Sequence, residues 1–155
     1  MRKRGFTLIE VVVAVSIIGF LMVSAFYAFN VVRMNSRDAL RVGNIATLSR
    51  AMALYQNSSQ AGFPASTGEC LTGASGVGQA LVNAKAIVDI PKDPLWPSNA
   101  PTAFSGGATQ DYPVNPSANF CYWYYSNSNT SYYLSYYLES TSKSGNQGIH
   151  VVSGS

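Results

Sequence analysis

A single carboxylate lies inside the most apolar stretch of this sequence. The segment "RKRGFTLIEVVVAV" places Glu10 four residues after Phe6, in a run that is otherwise almost entirely hydrophobic. An ionised side chain costs about 2.5 to 3.5 kcal/mol near the centre of a bilayer and less toward its edge, so such residues are normally paired. We therefore expect Glu10 to meet a counter-charge when the protein performs its function.

Other residue types offer little for catalysis. The only histidine, His150, lies five residues from the C-terminus, where chains are often loosely held, which disfavours a Ser-His-Asp arrangement. The stretch "GASGVG" lacks the lysine of a phosphate-binding loop. We expect no enzyme activity, no catalytic or cofactor-binding residues and no metal site.

The two cysteines favour a structural role. Cys70 and Cys121 are about fifty residues apart and neither belongs to a CxxC pair. A disulfide is expected rather than a metal site, which indicates an exported domain. Such a bridge stabilises a domain by around 2 to 4 kcal/mol.

Charge and hydropathy divide the chain at its N-terminus. Arg2, Lys3 and Arg4 are three of the ten Lys and Arg residues, and the other seven balance the seven acids. The body therefore lacks the basic surface of a nucleic-acid binder. From Phe6 to Phe29 the chain is apolar for about 24 residues, or roughly 36 Å of helix, which is enough to span a bilayer. The basic residues hold the N-terminus in the cytoplasm and direct the rest outward.

The segment "RGFTLIE" resembles the leader junction of type IV prepilins and pseudopilins. The resemblance implies cleavage by a prepilin peptidase between Gly5 and Phe6, N-methylation of Phe6, and pairing of Glu10 with the N-terminal amine of a neighbouring subunit. Tyr27 occupies the position where family members often carry a helix-kinking proline.

The same resemblance implies partners and a location. The partners are other copies of the chain, other pilins or pseudopilins, the peptidase, and an inner-membrane assembly platform driven by a cytoplasmic ATPase. The chain would cross the inner membrane once before assembly and then enter a periplasmic or cell-surface filament. A retractile pilus, a secretion pseudopilus and a DNA-uptake fibre share this leader.

Two other interpretations of the sequence remain open. In the first, an ordinary secretory signal ends at Ala25, and the mature protein is a secreted binding domain without Glu10. In the second, the protein is an adhesive or tip subunit whose tyrosine-rich hairpin, including Trp123 and Tyr125, binds a ligand.

The rest of the chain predicts an α+β fold, the pilin fold. A helix continues past the membrane with Ile45, Leu48 and Met52 on its packed face, while Arg37, Arg41, Asn44 and Arg50 are expected largely elsewhere. The strand patterns "NFCYWYYS" and "SYYLSYYLE" predict a small antiparallel sheet packed on that helix through Leu134 and Leu138, with a third strand from Ile149 to Val152.

We expect five parts in order. They are a leader peptide (1–5), a transmembrane and filament-core helix (6–30), an amphipathic spine helix (31–56), a Gly/Ser/Pro-rich connecting region with a short helix (57–118), and the sheet with a C-terminal tail (119–155). Within the connecting region, "GFP" and "IPKDP" look like major pseudopilins of type II secretion systems. Those proteins often hold calcium in their C-terminal loops. That site is not carried over to named residues, because Glu139 is the only acid after Asp111, and calcium bound through backbone and amide oxygens stays an open alternative.

Overall fold

The computed structural model describes residues 6–59, 62–100 and 119–155. Their secondary-structure elements, in chain order, are α1 (Leu8–Ser59), β1 (Ser66–Cys70), α2 (Gly76–Asn83), β2 (Trp123–Ser128), β3 (Ser131–Leu138) and β4 (Gly148–Gly154). A long helix followed by a small antiparallel sheet is the predicted α+β architecture. The predicted leader (1–5) and the later part of the connecting region (101–118) lie outside the described residues.

Helix α1 is unbroken over 52 residues. The first proline of the chain is Pro64, so no residue of the helix lacks its backbone N–H, and α1 continues through Gly19 and Tyr27. Ser16 and Ser24 donate their hydroxyl groups to the carbonyls of the preceding turn, which satisfies polar atoms within an apolar surface.

The chain divides into two units, residues Met1–Met34 and Asn35–Ser155. We call the second unit the head. Its sheet has the order β1-β2-β3-β4, and every neighbouring pair is antiparallel. Strands β2 and β3 form the predicted hairpin, with only Asn129 and Thr130 between them. Strand β4 contains the predicted third strand and pairs along β3 from Tyr132–Gly154 to Leu138–Gly148.

The core of the head lies between α1 and one face of the sheet. Leu134 and Leu138 are fully buried in a cluster with Ile45, Leu48 and Met52 of α1, as the alternation in β3 predicted. The cluster also contains five aromatic residues: Phe63, Tyr122, Tyr124, Tyr132 and Tyr136. These tyrosines therefore pack mainly as hydrophobic groups.

A carboxylate of strand β1 caps the N-terminus of helix α2. The sequence did not predict β1, because "STGEC" is short and interrupted by Gly68. The N-cap residue of α2, Ser75, makes no side-chain cap, and Glu69 of β1 instead accepts a 2.7 Å hydrogen bond from the backbone N–H of Val77. Gly76 has a φ of 59°, and a Cβ there would overlap the Glu69 carboxylate.

The predicted disulfide is present. Cys70, at the end of β1, is bonded to Cys121, just before β2, with a Cα–Cα distance of 5.7 Å. The two strands are also paired at Cys70 and Trp123, so the bridge lies next to the point where β1 and β2 pair.

Candidate assembly and processing site

The predicted assembly residue Glu10 lies in the first turn of α1. Its carboxylate accepts hydrogen bonds from both the backbone N–H and the hydroxyl group of Thr7, each at 3.3 Å. A Thr followed three positions later by Glu is the capping-box pattern, in which the Glu side chain satisfies the N-cap N–H that the helix leaves unpaired. The "TLIE" motif therefore begins the helix as well as carrying the acid.

No ion pair to Glu10 occurs within residues 6–59, 62–100 and 119–155. The capping hydrogen bonds leave its charge exposed and without a cationic partner from the described part of the chain. Phe6, the predicted N-terminal residue after processing, is 84% exposed. Gly5, on the other side of the predicted cleavage point, lies outside the described residues.

The residues that follow Glu10 form an exposed apolar surface. We call residues 8–32 the apolar segment, because Glu10 is its only charged residue. Its most apolar window is not buried within the chain, and α1 is long and apolar enough to cross a membrane by length and composition. A helix that is hydrophobic on all sides needs a non-aqueous environment or other helices around it.

A buried ionic cluster in the head was not predicted. We call it the Arg41 cluster: Arg37, Asp38, Arg41, Asp93 and Glu139. Arg41 is completely buried and donates from Nε to Asp93 at 2.7 Å, and from a terminal nitrogen to Asp38 at 2.8 Å and to Glu139 at 2.6 Å. Its guanidinium also lies 5.1 Å from the centre of the Phe120 ring. The expectation that Arg41 lies away from the packed face of α1 was therefore wrong.

The cluster links three parts of the head. Asp38 accepts hydrogen bonds from the backbone N–H groups of Glu139 and Ser140, at 2.9 Å each, which fixes the end of β3 on α1. Asp93 accepts from the Leu95 N–H at 2.8 Å and so orders the proline-rich loop around it. Burial alone would raise the pKa of the Glu139 carboxyl, but hydrogen bonds from Arg37 and Arg41 outweigh this and hold the pKa below its usual value.

Asn44, also expected away from the packed face, contributes a neighbouring polar contact. Its amide donates to the Tyr122 hydroxyl at 2.8 Å. Burial of the ring raises the pKa of Tyr122 to about 12, despite this hydrogen bond. In the Arg41 cluster, Asp93 and Glu139 lie 52 and 98 residues from Arg41 in the sequence, so helical periodicity alone does not indicate that they contact it.

The two hairpin residues suggested for ligand binding differ in accessibility. Trp123 is only 9% exposed, and its ring lies over Gly68. Tyr125 is half-buried and stacks on Tyr133 with ring centres 6.3 Å apart.

Within the described residues, no group of three or more His, Cys, Asp or Glu side chains has an arrangement that suits a metal ion.

One comparison with known proteins concerns the N-terminal residues. A family model described as the prokaryotic N-terminal methylation motif matches residues 1–26. The chain carries this methylation motif. The motif is typical of type IV pilins and pseudopilins, and the apolar helix α1 fits it. No curated protein and no solved structure matches the chain significantly.

The methylation motif supports a pilin-like or pseudopilin-like precursor and fits a membrane-anchored form. It implies processing by a prepilin peptidase and assembly into pilin-type filaments, and proteins with it are usually structural rather than enzymatic.

Proposed function

We propose that this protein is a structural subunit of a type IV pilus-like or type II secretion pseudopilus filament. The observation that carries the proposal is an exposed apolar segment, most of which lies within the methylation motif, that contains one acid with no ion pair in the described part of the chain. Before assembly the apolar segment anchors the chain in the inner membrane, and afterwards it packs against the same segment of other subunits.

Processing precedes assembly in this account. A prepilin peptidase cleaves between Gly5 and Phe6 on the cytoplasmic side, and the new Phe6 amine is methylated. Removal of residues 1–5 takes Arg2, Lys3 and Arg4 away from the apolar segment, so the positive charge that remains at its N-terminal end is the N-terminal amine. The domain division that we propose is the one given above, with cleavage at the boundary of its first two parts.

Glu10 then determines how neighbouring subunits align along the filament. Transfer of its carboxylate into a helical bundle is unfavourable unless a cation accompanies it. The Phe6 amine of a neighbouring subunit supplies that cation, and pairing neutralises both charges at once. Because the pair forms only at one axial offset between neighbours, it fixes the register of the filament as well as lowering the cost of burial.

The capping role of Glu10 has to be separated from its charge. Glutamine preserves the capping box but carries no charge, whereas alanine removes both. We expect Glu10→Gln and Glu10→Ala to be inserted in the membrane and processed normally, and both to reduce filament incorporation strongly. The matched control is Ser16→Ala, which removes another polar side chain from the same segment and should assemble normally.

For each variant, the measurement compares the amount of subunit in sheared filaments with the amount in membranes. Normal incorporation of Glu10→Gln, together with loss for Glu10→Ala, would show that helix capping and not charge pairing is required. Normal incorporation of both variants would contradict the assembly mechanism altogether.

A further inference from the structure

Strand β4 forms an open edge of the sheet in the head. It is the last strand in the order β1-β2-β3-β4, and all seven of its residues pair with β3 without a register shift. In an antiparallel strand, alternate residues direct their N–H and C=O groups to opposite sides. No hydrogen bond between described residues uses the groups that β4 directs away from β3. These groups are therefore left for water or for another strand.

Strand β4 lacks the features that usually protect such an edge. Edge strands are commonly short, bulged, or supplied with charged residues or proline, which prevents pairing with other chains. The sequence of β4, "GIHVVSG", contains no proline and no Lys, Arg, Asp or Glu. All its residues are half-buried or exposed, whereas residues 134–138 of β3 are buried. The edge is therefore accessible and carries no acidic or strongly basic side chain.

The opposite edge of the sheet is protected. Strand β1 has only five residues, and its register with β2 shifts between Ser66 and Glu69. The N–H of Gly68 donates to the Ser66 hydroxyl group at 3.3 Å, so this backbone donor is already used within the strand. Of the two edges that one copy of the sheet offers, only β4 suits regular pairing with another strand.

A second copy can therefore add only its own β4 to this edge. Contact between the same surface on two copies is two-fold symmetric, and strands related in this way within one sheet run antiparallel. Full overlap of the seven residues places Val151 opposite its own counterpart in the second copy. No like charges meet in this alignment, and two β-branched side chains lie together on the face of the sheet away from Leu134 and α1.

We infer that two copies of this chain join through their β4 strands, in an antiparallel alignment centred on Val151. The two four-stranded sheets become one continuous sheet, and its two-fold axis is perpendicular to the surface of the sheet. The head part of α1 packs along that surface, so it points in opposite directions in the two copies.

This geometry determines which copies can pair. Subunits that repeat one contact along a filament all point the same way. The β4 pair therefore joins heads of two different filaments, and not neighbours within one filament. This step rests on the proposed function, whereas the pairing of two isolated chains does not.

Cysteine crosslinking of the full chain in maltoside micelles tests the pairing. Cys70 and Cys121 are bonded to each other, so an introduced cysteine supplies the free thiol. Directly opposed Cα atoms of antiparallel strands are about 4.5 to 5.5 Å apart, within the range of about 4.4 to 6.8 Å that a disulfide spans. Val151→Cys should therefore form a covalent dimer under mild oxidation.

Ser153→Cys is the matched control, because it lies on the same face of the same strand. In the proposed alignment its two copies lie about 13 Å apart along the strand. We expect Val151→Cys to give about tenfold more dimer than Ser153→Cys, since only the first pair lies within bonding distance. Equal yields would show random collision, and monomer in both variants would show that β4 does not pair with a second copy. Either result overturns the inference.

A charge at the same position separates this contact from assembly. Val151→Lys places two ammonium groups opposite each other. It should remove side-by-side association of sheared filaments in electron micrographs, while incorporation into filaments stays normal. Filaments that still associate, or a loss of incorporation, would overturn the contact between filaments. Absence of filaments from the unmodified chain would contradict the proposed function instead, and the crosslinking result is independent of it.

Discussion

Arg41 and Asp93 form a buried, two-pronged ion pair, with Nε donating to one carboxylate oxygen at 2.7 Å and a terminal nitrogen donating to the other at 3.0 Å. Both side chains are at most 1% exposed. Parallel hydrogen bonds of this kind fix orientation as well as charge, which lysine cannot reproduce. The pair holds the proline-rich loop against α1, so the integrity of the head depends on a polar contact as well as on its apolar core.

Removal of Arg41 should destabilise the head severely. Arg41→Leu leaves Asp38 and Asp93 buried without their cation, and loss of one partner of a buried pair costs about 3 to 5 kcal/mol. Arg50→Leu, at an exposed position of the same helix, should change the free energy of unfolding by less than about 0.5 kcal/mol. Urea unfolding of the full chain in maltoside micelles measures both. Equal stability of the two variants would show that the cluster does not hold the head together.

Stability should fall in acid because of Glu139. Its folded-state pKa is below the ordinary value of 4.5, so the ionised carboxylate stabilises the folded state above that pH. This contribution is lost as the pH falls below about 4.5 and through the folded-state value. Urea midpoints between pH 6 and pH 3 should therefore drop less steeply for Glu139→Gln than for the unmodified chain. Asp89→Asn, at an exposed acid outside the Arg41 cluster, is the control, and an unchanged slope in Glu139→Gln would contradict this assignment.

The sequence was sufficient to predict the parts of the fold that have regular patterns. The two-residue alternation in "SYYLSYYLE" correctly placed Leu134 and Leu138 on the helix side, and the three- and four-residue spacing placed Ile45, Leu48 and Met52. The cysteine count was sufficient to predict the Cys70–Cys121 bridge. Each of these signals is local or depends on only two residues of a rare type.

The Arg41 cluster and β1 could not be predicted in this way. Arginine on a helix is usually solvated, and nothing near Arg41 in sequence indicates that Asp93 and Glu139 surround it. Strand β1 contains no run of β-branched or aromatic residues, and it exists because β2 offers it an edge and the disulfide fixes its end. Both features depend on tertiary contacts between distant segments.

The disulfide should contribute measurably to the stability of the head. Replacement of both cysteines, Cys70→Ala with Cys121→Ala, opens a loop with a sequence separation of 51 residues and should lower the free energy of unfolding by about 2 to 4 kcal/mol. The same urea experiment with added dithiothreitol should shift the midpoint of the unmodified chain but not that of the double variant. A double variant as stable as the oxidised parent would contradict a stabilising role.

Two glycine replacements should act in opposite directions. Gly76→Ala requires a left-handed alanine and displaces the Glu69 carboxylate from α2, with an expected loss of about 2 kcal/mol. Gly43→Ala adds a methyl group in open space on α1 and should stabilise the helix by up to about 1 kcal/mol. The melting temperatures of the two variants, each compared with that of the unmodified chain, test this prediction. Equal shifts of the melting temperature in the two variants would show that Glu69 does not cap α2.

The central claim is that this chain is a processed, membrane-anchored filament subunit. It is tested most directly by the intact mass and N-terminal sequence of the protein recovered from membranes and from sheared surface material of its native cells. Our account predicts a chain that begins at N-methylated Phe6 and retains Glu10 in both fractions. A chain that begins at Phe26, after a conventional signal cleavage at Ala25, would contradict it and leave a secreted domain without the assembly segment.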